Sequence, residues 1–422
     1  MPSMSRGEAK LRSDQIMNNK YCEYCWPTKR KYHFVFHLEY YLSKFATIFS
    51  KPLKYLFPKK KKINQDYLWG PILEFLSLVK IVNFIDEPDE TKLYNRGLIF
   101  FKEAKKRNLD IKAIKFLGKY INEFKLIYKG KRYYYEGIPL TINQKCLETD
   151  DKIKIKTLLY ENNIPIAPGK FFTDPKKAID FGKKTGYPLV VKPNTGSLSH
   201  HLTCFINSEE ELRKAIKISK IYRPDFIVER YIEGNLYRAT VTGRKHVFIC
   251  QKDKANIVGN GFSSIEELIK IKNNGKKRGE IHQMNTTLHK IPIDDALKRN
   301  LKTQGLNLKS ILPKGKKIYL QDKFILSQGC DIINCSEDAH LDNKNLFLKI
   351  ANILETDLAG IDFICGNINK SYKNQETAVL EINSLPYIDM HQYPSHGKPD
   401  PVAEIVWDIV LNNLDGEYKP QK

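Results

Sequence analysis

The residues best able to do chemistry lie toward the C-terminus. Gly360-Ile361-Asp362-Phe363 reads as one strand, and Glu381-Ile382-Asn383 reads as the next. Glu381 and Asn383 are two apart, so a strand points them to the same face. Two carboxylates and an amide oxygen form an oxygen-only ligand set that suits Mg²⁺. Mg²⁺ held this way bridges nucleotide phosphates. Carboxylates at strand ends are common, so this set alone identifies nothing. Lys192 ends the apolar run Tyr187-Pro-Leu-Val-Val-Lys192-Pro193. A lysine there is costly to bury unless it meets an anion, although its stem can carry the charge to water. The polar stretch Asn194-Thr195-Gly196-Ser197-Leu198-Ser199-His200-His201 follows. Such a loop can offer N–H and hydroxyl donors to phosphate, or it is an ordinary turn. Near the other end, Cys22-x-x-Cys25 precedes His33-x-x-x-His37. Four such residues can complete a tetrahedral zinc site. The gap from Cys25 to His33 is shorter than the roughly twelve residues of a finger, so the expectation is two buried cysteines beside a helix.

These groups need strands to aim them. From about Ile63 to Leu147 the pattern is α/β. Gly97–Asn108 reads as a helix and Ile111–Leu117 as a strand, and Lys125–Tyr128 and Arg132–Glu136 flank Lys129-Gly130-Lys131 as a hairpin. Glu209–Ser219 reads as a helix with Ser208 as its N-cap. Phe226–Ile232 is a strand, and Leu236–Thr242 with His246–Gln251 makes a hairpin around Gly243. Helix Leu346–Leu354, strands Leu358–Ile364 and Thr377–Ile382, and helix Val402–Asn412 complete the pattern. Between Lys31 and Phe57, the residues Phe34, Leu38, Leu42, Phe45 and Phe49 recur at helical spacing. That face is expected to pack on the neighbouring domain; with its flanking lysines it also suits an anionic membrane surface.

A chain of 422 residues fits two to three domains of roughly 100–200 residues. With 41% hydrophobic and 28% charged residues, a folded chain is expected rather than a disordered one. No stretch free of Asp, Glu, Lys and Arg exceeds Pro193–Ser208, which is no apolar span of about 20 residues. The N-terminal residues lack the apolar core of a signal peptide. Eight cysteines in this length are too sparse for a disulfide scaffold, so a reduced, cytoplasmic chain is expected. The net charge is +22, of which +13 falls in residues 1–150 and +9 in the rest. Lys59-Lys60-Lys61-Lys62, just after Pro58, reads as a solvated linker.

The combination of motifs is more specific than its parts, and it resembles the ATP-grasp ligases, most closely the ATP-grasp half of the cyanophycin synthetases. The resemblance runs from about Asp150 to Asp408. Its landmarks come in family order. Asp151-Lys152-x-x-x-Lys156-Thr157-x-Leu159 and Asn163-Ile164-Pro165 lead to Val190-Val191-Lys192-Pro193. Ile227-Val228-Glu229-Arg230-Tyr231-Ile232-x-Gly234 and Tyr237-Arg238 follow. Then come Gly259-Asn260-Gly261, Ser264-Ile265-Glu266-Glu267-Leu268 and Arg278-Gly279-Glu280. Gly360-Ile361-Asp362, Glu381-x-Asn383-x-x-Pro386, Met390-His391 and Pro394-x-x-Gly397-Lys398-Pro399 close the match.

The resemblance implies an α/β (α+β) ATP-grasp fold at 149–415, with an N-terminal lobe at 149–225 and a C-terminal lobe at 226–415 sandwiching ATP. A small α/β substrate-side domain at 63–148 and a basic, aromatic extension at 1–62 precede it. Lys152 and Lys192 look like ATP-contacting lysines. Glu229, Arg230, Tyr231 and Ile232 look like the hinge that meets adenine, and Glu233 like the ribose contact. Lys252 stands where a phosphate-contacting base is expected, and Arg238 would face the reacting end. Asp362, Glu381 and Asn383 look like the ligands of Mg²⁺, with Mn²⁺ as the alternative. The implied reaction is ATP-dependent joining of a carboxylate to an amine through an acylphosphate, on an amino acid or peptide. Two alternatives stand beside it: a non-catalytic nucleotide-binding or scaffold module, and a membrane- or nucleic-acid-binding protein working through residues 29–62. Nucleic acid is disfavoured because the denser charge lies outside the matched region; a homo-oligomer stays open.

The departures are informative. The loop after Pro193 has one glycine where the family has several. Asn260 replaces the acid of a GDG segment. Asp389 falls where the cyanophycin enzymes tend to have an arginine, which favours a substrate amine there over a carboxylate. His200, His201 and His391 are expected to be hydrogen-bonding or surface histidines rather than acid–base groups. No G-x-x-x-x-G-K-[ST] occurs, so the phosphate loop of a Mur-ligase-like half is missing and a single ligation is expected.

Overall fold

A computed structural model describes residues 22–25, 32–56, 66–139, 151–196, 200–280 and 283–416. The Lys59–Lys62 run and the tip of the loop after Pro193, at 197–199, lie outside the described residues. The chain divides into two compact units. The first holds the described residues of Met1–Lys61, together with Asp151–Ile153 and Ala167–Tyr231; the second holds those of Lys62–Asp150, with Lys154–Ile166 and Ile232–Lys422.

The first unit opens with helix α1 (Phe34–Leu56). The face it docks is not the one its apolar spacing picks out. Phe36 stacks on Tyr222 with ring centroids 4.5 Å apart, His33 meets the same ring at 5.7 Å, and Tyr40 is buried. Phe34, Leu38, Leu42 and Phe45 are instead 70%, 43%, 57% and 61% exposed. Two helical faces compete, and the one whose rings have a ring to stack on is buried. The expected packing of the Phe34–Phe45 stripe is therefore corrected: among the described residues that stripe faces outward.

In the second unit, α2 (Asp66–Leu78), β1 (Val82–Ile85), α3 (Asn95–Lys106), β2 (Asp110–Phe116), β3 (Lys119–Tyr128) and β4 (Lys131–Glu136) form an α/β layer. The sheet order is β1-β2-β3-β4, all antiparallel. Lys129 and Gly130 both take positive φ, at 49° and 76°, as a tight hairpin turn needs. This layer shares its core with the C-terminal helix Val402–Leu414. Trp407 of that helix is fully buried and its Nε1 donates to Phe100 O at 2.9 Å.

After α4 (Lys152–Glu161), the first unit builds a four-stranded antiparallel sheet from β5 (Gly169–Phe172), β6 (Leu189–Pro193), β7 (Thr203–Ile206) and β8 (Phe226–Arg230), in the order β5-β8-β6-β7. Helices α5 (Pro175–Thr185) and α6 (Glu209–Tyr222) pack on one face of it through Ala178, Ile179, Leu212 and Ile216. Each helix begins as its sequence indicates. Asp174 accepts from Lys176 N ahead of Pro175, and Ser208 accepts from Glu211 N at 3.2 Å.

The second unit continues with five antiparallel strands, β9 (Asn235–Thr242), β10 (His246–Asp253), β11 (Asp331–Asn334), β12 (Leu358–Cys365) and β13 (Thr377–Asn383), in the order β11-β10-β9-β12-β13. One face, carrying Ala239, Val241, Ile361, Phe363 and Val379, packs with helix Leu341–Ile353 and with α4. No described helix is long and apolar enough to cross a membrane.

Truncating the indole that joins the N-terminal layer to the C-terminal helix tests this core. Trp407→Ala is expected to cost about 3–5 kcal/mol, read as a lower urea midpoint followed by circular dichroism.

Candidate active site

In the first unit, alternation along the strands selects one lysine and one glutamate. On β6, Leu189 and Val191 enter the helix-covered core, so Val190 and Lys192 point to the other face. On β8, Phe226 and Val228 enter the same core, so Glu229 points with Lys192. Register completes the match, because Val190 lies opposite Glu229 and Lys192 opposite Ile227. Lys192 Nζ meets Glu229 Oε1 at 2.6 Å with both side chains buried. The anion that a buried Lys192 requires is thus present within the chain. Gly169, opposite Glu229 on β5, must lack a side chain: a Cβ there would lie 2.5 Å from Glu229 Cβ.

Lys152 Nζ donates to Gly196 O at 2.8 Å. Asn194, at the start of the loop after β6, is buried and donates through Nδ2 to Asp225 Oδ2 at 3.3 Å. After β8, Arg230 N donates to Pro168 O at 2.8 Å and Tyr231 N to Pro188 O at 3.0 Å. The two units divide between Tyr231 and Ile232, inside the segment read as a hinge; Ile232 is buried and Glu233 exposed.

In the second unit, the sheet face opposite Ile361 and Phe363 is polar. Asp362 on β12 sits directly across from Arg238 on β9 and Glu381 on β13. Arg238 Nε and Nη2 donate to Asp362 Oδ1 and Oδ2 at 2.7 and 3.2 Å, a two-pronged clamp. Lys252 Nζ donates to Oδ1 at 3.2 Å. Burial alone would push the Asp362 carboxyl up; the Arg238 and Lys252 charges outweigh it and hold it at about 2. Burial likewise opposes the charge on Arg238, and Asp362 more than offsets this, so the guanidinium rises above its ordinary value. A carboxylate has about four acceptor sites. Three are taken here, so Asp362 has about one left for a metal. Glu381 and Asn383 point to the same polar face, with Asn383 opposite Gly360. A bulge in the β12–β13 pairing at Asp362/Phe363 allows this. It lets Val379 and Ile382, three apart, both enter the core, while Glu381 and Asn383 stay outside. Gly360 leaves room: a Cβ there would lie 2.5 Å from Pro386 Cβ and 3.1 Å from Arg238 Nη1.

Other motif residues have identifiable structural tasks. Ser264 and Glu267 form a reciprocal cap at the start of helix Ile265–Asn273. Asn260 Oδ1 accepts from Phe262 N and Ser263 N, and its Nδ2 also reaches Ser263 Oγ at 3.0 Å. The two backbone bonds are ones an aspartate would also make, so the turn tolerates the exchange. Arg278 pairs with Asp331 and donates to His289 O and Gly329 O, which makes it a clamp. His391 is fully buried, with Nε2 on Thr240 Oγ1 at 2.8 Å and Nδ1 facing Asp400 Oδ2 at 3.4 Å. Burial lowers its pKa against the pull of Asp400.

Asn95, Thr287 and Asp225, which sequence reasoning did not single out, gather around residues that it did. Asp389 is buried at 5% exposure beside Asn95, whose Nδ2 lies 3.4 Å from its Oδ2 and 2.7 Å from Thr287 Oγ1. Burial pushes the Asp389 carboxyl up, with Thr287 and Asn95 working against it. Nothing in the spacing of Asn95, Thr287 and Asp389 signals that they meet. The same holds for Asp225 with Asn194. His200 and His201 are both buried, not surface residues.

No family model matches the chain. Cyanophycin synthetase of Crocosphaera subtropica is 33% identical over 282 residues, covering 66% of this chain and 31% of that protein. The bifunctional glutathione biosynthesis protein of Clostridium perfringens is 32% identical over 270 residues, covering 63% of this chain and 34% of that protein. Among solved structures, the bifunctional glutathione synthetase of Pasteurella multocida aligns with a TM-score of 0.58 at 22% identity, covering 77% of this chain and 44% of that one. The chain has the ATP-grasp fold. It is related to the ATP-grasp half of cyanophycin synthetase, and it spans about a third of the length of the curated relatives it matches.

The Asp362 clamp makes this protein acid-sensitive in a defined direction. Its folded value of about 2 lies below an unfolded value of about 3.9. The resulting stabilisation, about 2–3 kcal/mol, is complete above about pH 4 and is lost as the pH falls through about 2. Asp362→Asn leaves two buried cations without their carboxylate and should cost about 3–5 kcal/mol at pH 7. Urea midpoints of both proteins at pH 7 and pH 3 check this: the gap should narrow at pH 3. Equal midpoints at pH 7 would sink the account.

Proposed function

We propose that this ATP-grasp chain is an ATP-dependent, ADP-forming ligase that joins a carboxylate to an amine, with an amino acid or peptide among its substrates. The observation that carries the reading is the polar sheet face on which Arg238, Lys252, Asp362, Glu381 and Asn383 meet. Relatives named as synthetases of cyanophycin and proteins of glutathione biosynthesis support the same class.

The donor set fits a divalent cation. Asp362 retains an acceptor site, and Glu381 and the Asn383 amide oxygen share its face, an all-oxygen set suited to Mg²⁺, with Mn²⁺ as alternative. Such an ion, when bound, neutralises phosphate charge. The chain's own residues do the rest. Lys152 and Lys192 meet the ATP phosphates, and the Glu229 partner presets Lys192 in one position. The segment Glu229, Arg230, Tyr231, Ile232 and Glu233 receives the nucleoside. A substrate carboxylate oxygen attacks the γ-phosphorus, the bond to the β-phosphate oxygen breaks, and ADP leaves. Arg238 and Lys252 stabilise the charge that develops, in a step dominated by positioning and electrostatics. The amine then attacks the acyl carbon, phosphate departs, the amine loses its proton, and the amide remains. Asp389 Oδ1, buried without a hydrogen-bond partner among the described residues, supports an amine-bearing group as the substrate feature received nearby.

Pairs of amino acids and short peptides, supplied with ATP and Mg²⁺, should release ADP, and mass spectrometry should find the condensed product. Glu381→Gln should lower ADP release by about 10²-fold or more, since the metal contributes several kcal/mol of charge stabilisation. Wild-type turnover in a Glu381→Gln protein of unchanged circular dichroism would refute the site. Tight ATP binding with no ADP across the panel would favour a nucleotide-binding module instead.

A specific observation supports an additional contact with an anionic membrane surface: the Phe34, Leu38, Leu42 and Phe45 stripe is exposed and its helix carries Lys44, Lys51 and Lys54. Binding to phosphatidylserine vesicles should exceed binding to neutral ones and should fall on replacing Phe34, Leu38 and Phe45 with serine. Equal sedimentation of the variant and the wild type would dismiss it.

A further inference from the structure

The cysteine pair near the N-terminus meets two histidines, and one of them is not the residue its spacing suggests. Cys22, Cys25, His33 and His201 bring their ligating atoms within 4.8 Å of one another. Cys25 Sγ lies 3.1 Å from His33 Nε2 and 3.3 Å from His201 Nε2, and Cys22 Sγ lies 3.6 Å from His201 Nε2. Cys25, His33 and His201 are buried and Cys22 is partly so. His37 points elsewhere, with its Nε2 at 3.2 Å from Ile221 O.

Ordinary hydrogen bonding accounts poorly for this convergence. His201 Nδ1 faces the carbonyl oxygen of Ile218 at 2.8 Å. A carbonyl only accepts, so Nδ1 carries the proton and donates it. In neutral imidazole, Nε2 then has one in-plane lone pair and no hydrogen. Two sulfurs nevertheless face that nitrogen, and two ring nitrogens face the single thiol of Cys25. The Cys25 sulfur can donate to one ring and accept from the other, but the one lone pair on His201 Nε2 cannot take both thiols. A cation among the four atoms accounts for all of them at once. Zinc bonded at about 2.3 Å to sulfur and about 2.0–2.1 Å to nitrogen, at tetrahedral angles, separates its ligand atoms by about 3.5 Å. The three contacts found bracket that spacing. Two thiolates and two imidazoles are a closed, borderline-soft set that suits zinc better than Mg²⁺ or Ca²⁺. The Ile218 carbonyl is also the outer partner that fixes a metal-bound imidazole in its tautomer and orientation.

We propose that Cys22, Cys25, His33 and His201 form a structural zinc site that ties the N-terminal segment to the far end of the loop following β6. It goes beyond the ligase reading and does not depend on it. The surroundings suit a structural role. The Tyr222 ring lies 5.1 Å from the His201 ring and 5.7 Å from that of His33, and it stacks on Phe36 of α1. The site would therefore hold α1 and His201 against the end of α6, with four protein ligands and no open position for chemistry.

The test is metal content, with no activity needed. The full chain, purified under reducing conditions without added chelator, should contain about one zinc per molecule by plasma mass spectrometry. Cobalt in its place should give the strong visible absorption of a tetrahedral site and a thiolate charge-transfer band. His201→Ala and Cys25→Ser should lose the metal. His37→Ala, which removes the histidine favoured by spacing, and Cys204→Ser, at an exposed cysteine, should keep it. If the His201 and Cys25 variants misfold, the wild-type cobalt spectrum and the His37 variant still decide. A wild type that holds no zinc and gives no thiolate–cobalt band overturns the site, as does retention of full zinc by a folded His201→Ala protein.

Discussion

One carboxylate holds the polar face of the large sheet together. Asp362 is the shared anion of two buried cations, Arg238 and Lys252, and without it both would lose their hydrogen-bonded carboxylate in a poorly solvated place. Such an arrangement is a weak source of stability, since removing ions from water costs several kcal/mol each and a well-packed apolar cluster does as well. The opposite face of the same strands is filled that way, with Ala239, Val241, Ile361 and Phe363. A strand set that buries apolar side chains on one side and concentrates cations and carboxylates on the other is prepared for a charged ligand. In the proposed reaction the two cations, at low exposure, act on phosphate with little screening by water.

That face depends on register to the single residue. Asp362 meets Arg238 and Glu381 because all three occupy one rung of three adjacent strands. A slip of one residue would send Asp362 into the core and Ile361 or Phe363 to the ligand side. The bulge beside Asp362 and the missing side chain at Gly360 are the local devices that let β13 and Arg238 approach. The four-stranded sheet of the other unit uses the same logic with fewer parts: alternation puts Lys192 and Glu229 on one face, and Gly169 leaves space for Glu229.

Local rules made much of this readable in advance. Alternation of apolar residues marks β6, β8, β12 and β13 to within a residue or two, and the strand identity of Asp362, Glu381 and Asn383 follows from it. Ser208 could be named as a cap because capping is settled within a single turn, between residues three apart. What escaped was decided by contacts distant in sequence. Glu229 reads as a hinge residue from its motif, yet its side chain is the partner of Lys192. Arg238 and Lys252 read as ligand-facing cations, but their joint hold on one carboxylate needs the β10-β9-β12 order, which no periodicity encodes. Asn95 and Thr287 reach Asp389 from separate segments of the chain.

Helix α1 shows why periodicity can locate an element and still misassign its face. Two stripes run along it: an aliphatic and aromatic one through Phe34, Leu38, Leu42 and Phe45, and a mixed one through Phe36 and Tyr40 that continues to His33. Hydrophobic spacing favours the first, because imidazole and phenol count for little on an apolar scale. Packing favours the second, because Tyr222 offers a ring face to Phe36 and His33, and Arg223 lies over Tyr40 at 5.5 Å to the ring centroid. Arg223 also pairs with Asp225, which in turn holds Asn194 at the start of the loop after β6. The same docking that turns the greasier stripe outward thus reaches that loop at both described ends, through Asp225 at Asn194 and through the ring cluster at His201. The buried stripe of α1 is therefore linked through Tyr40, Arg223 and Asp225 to Asn194, two residues beyond Lys192.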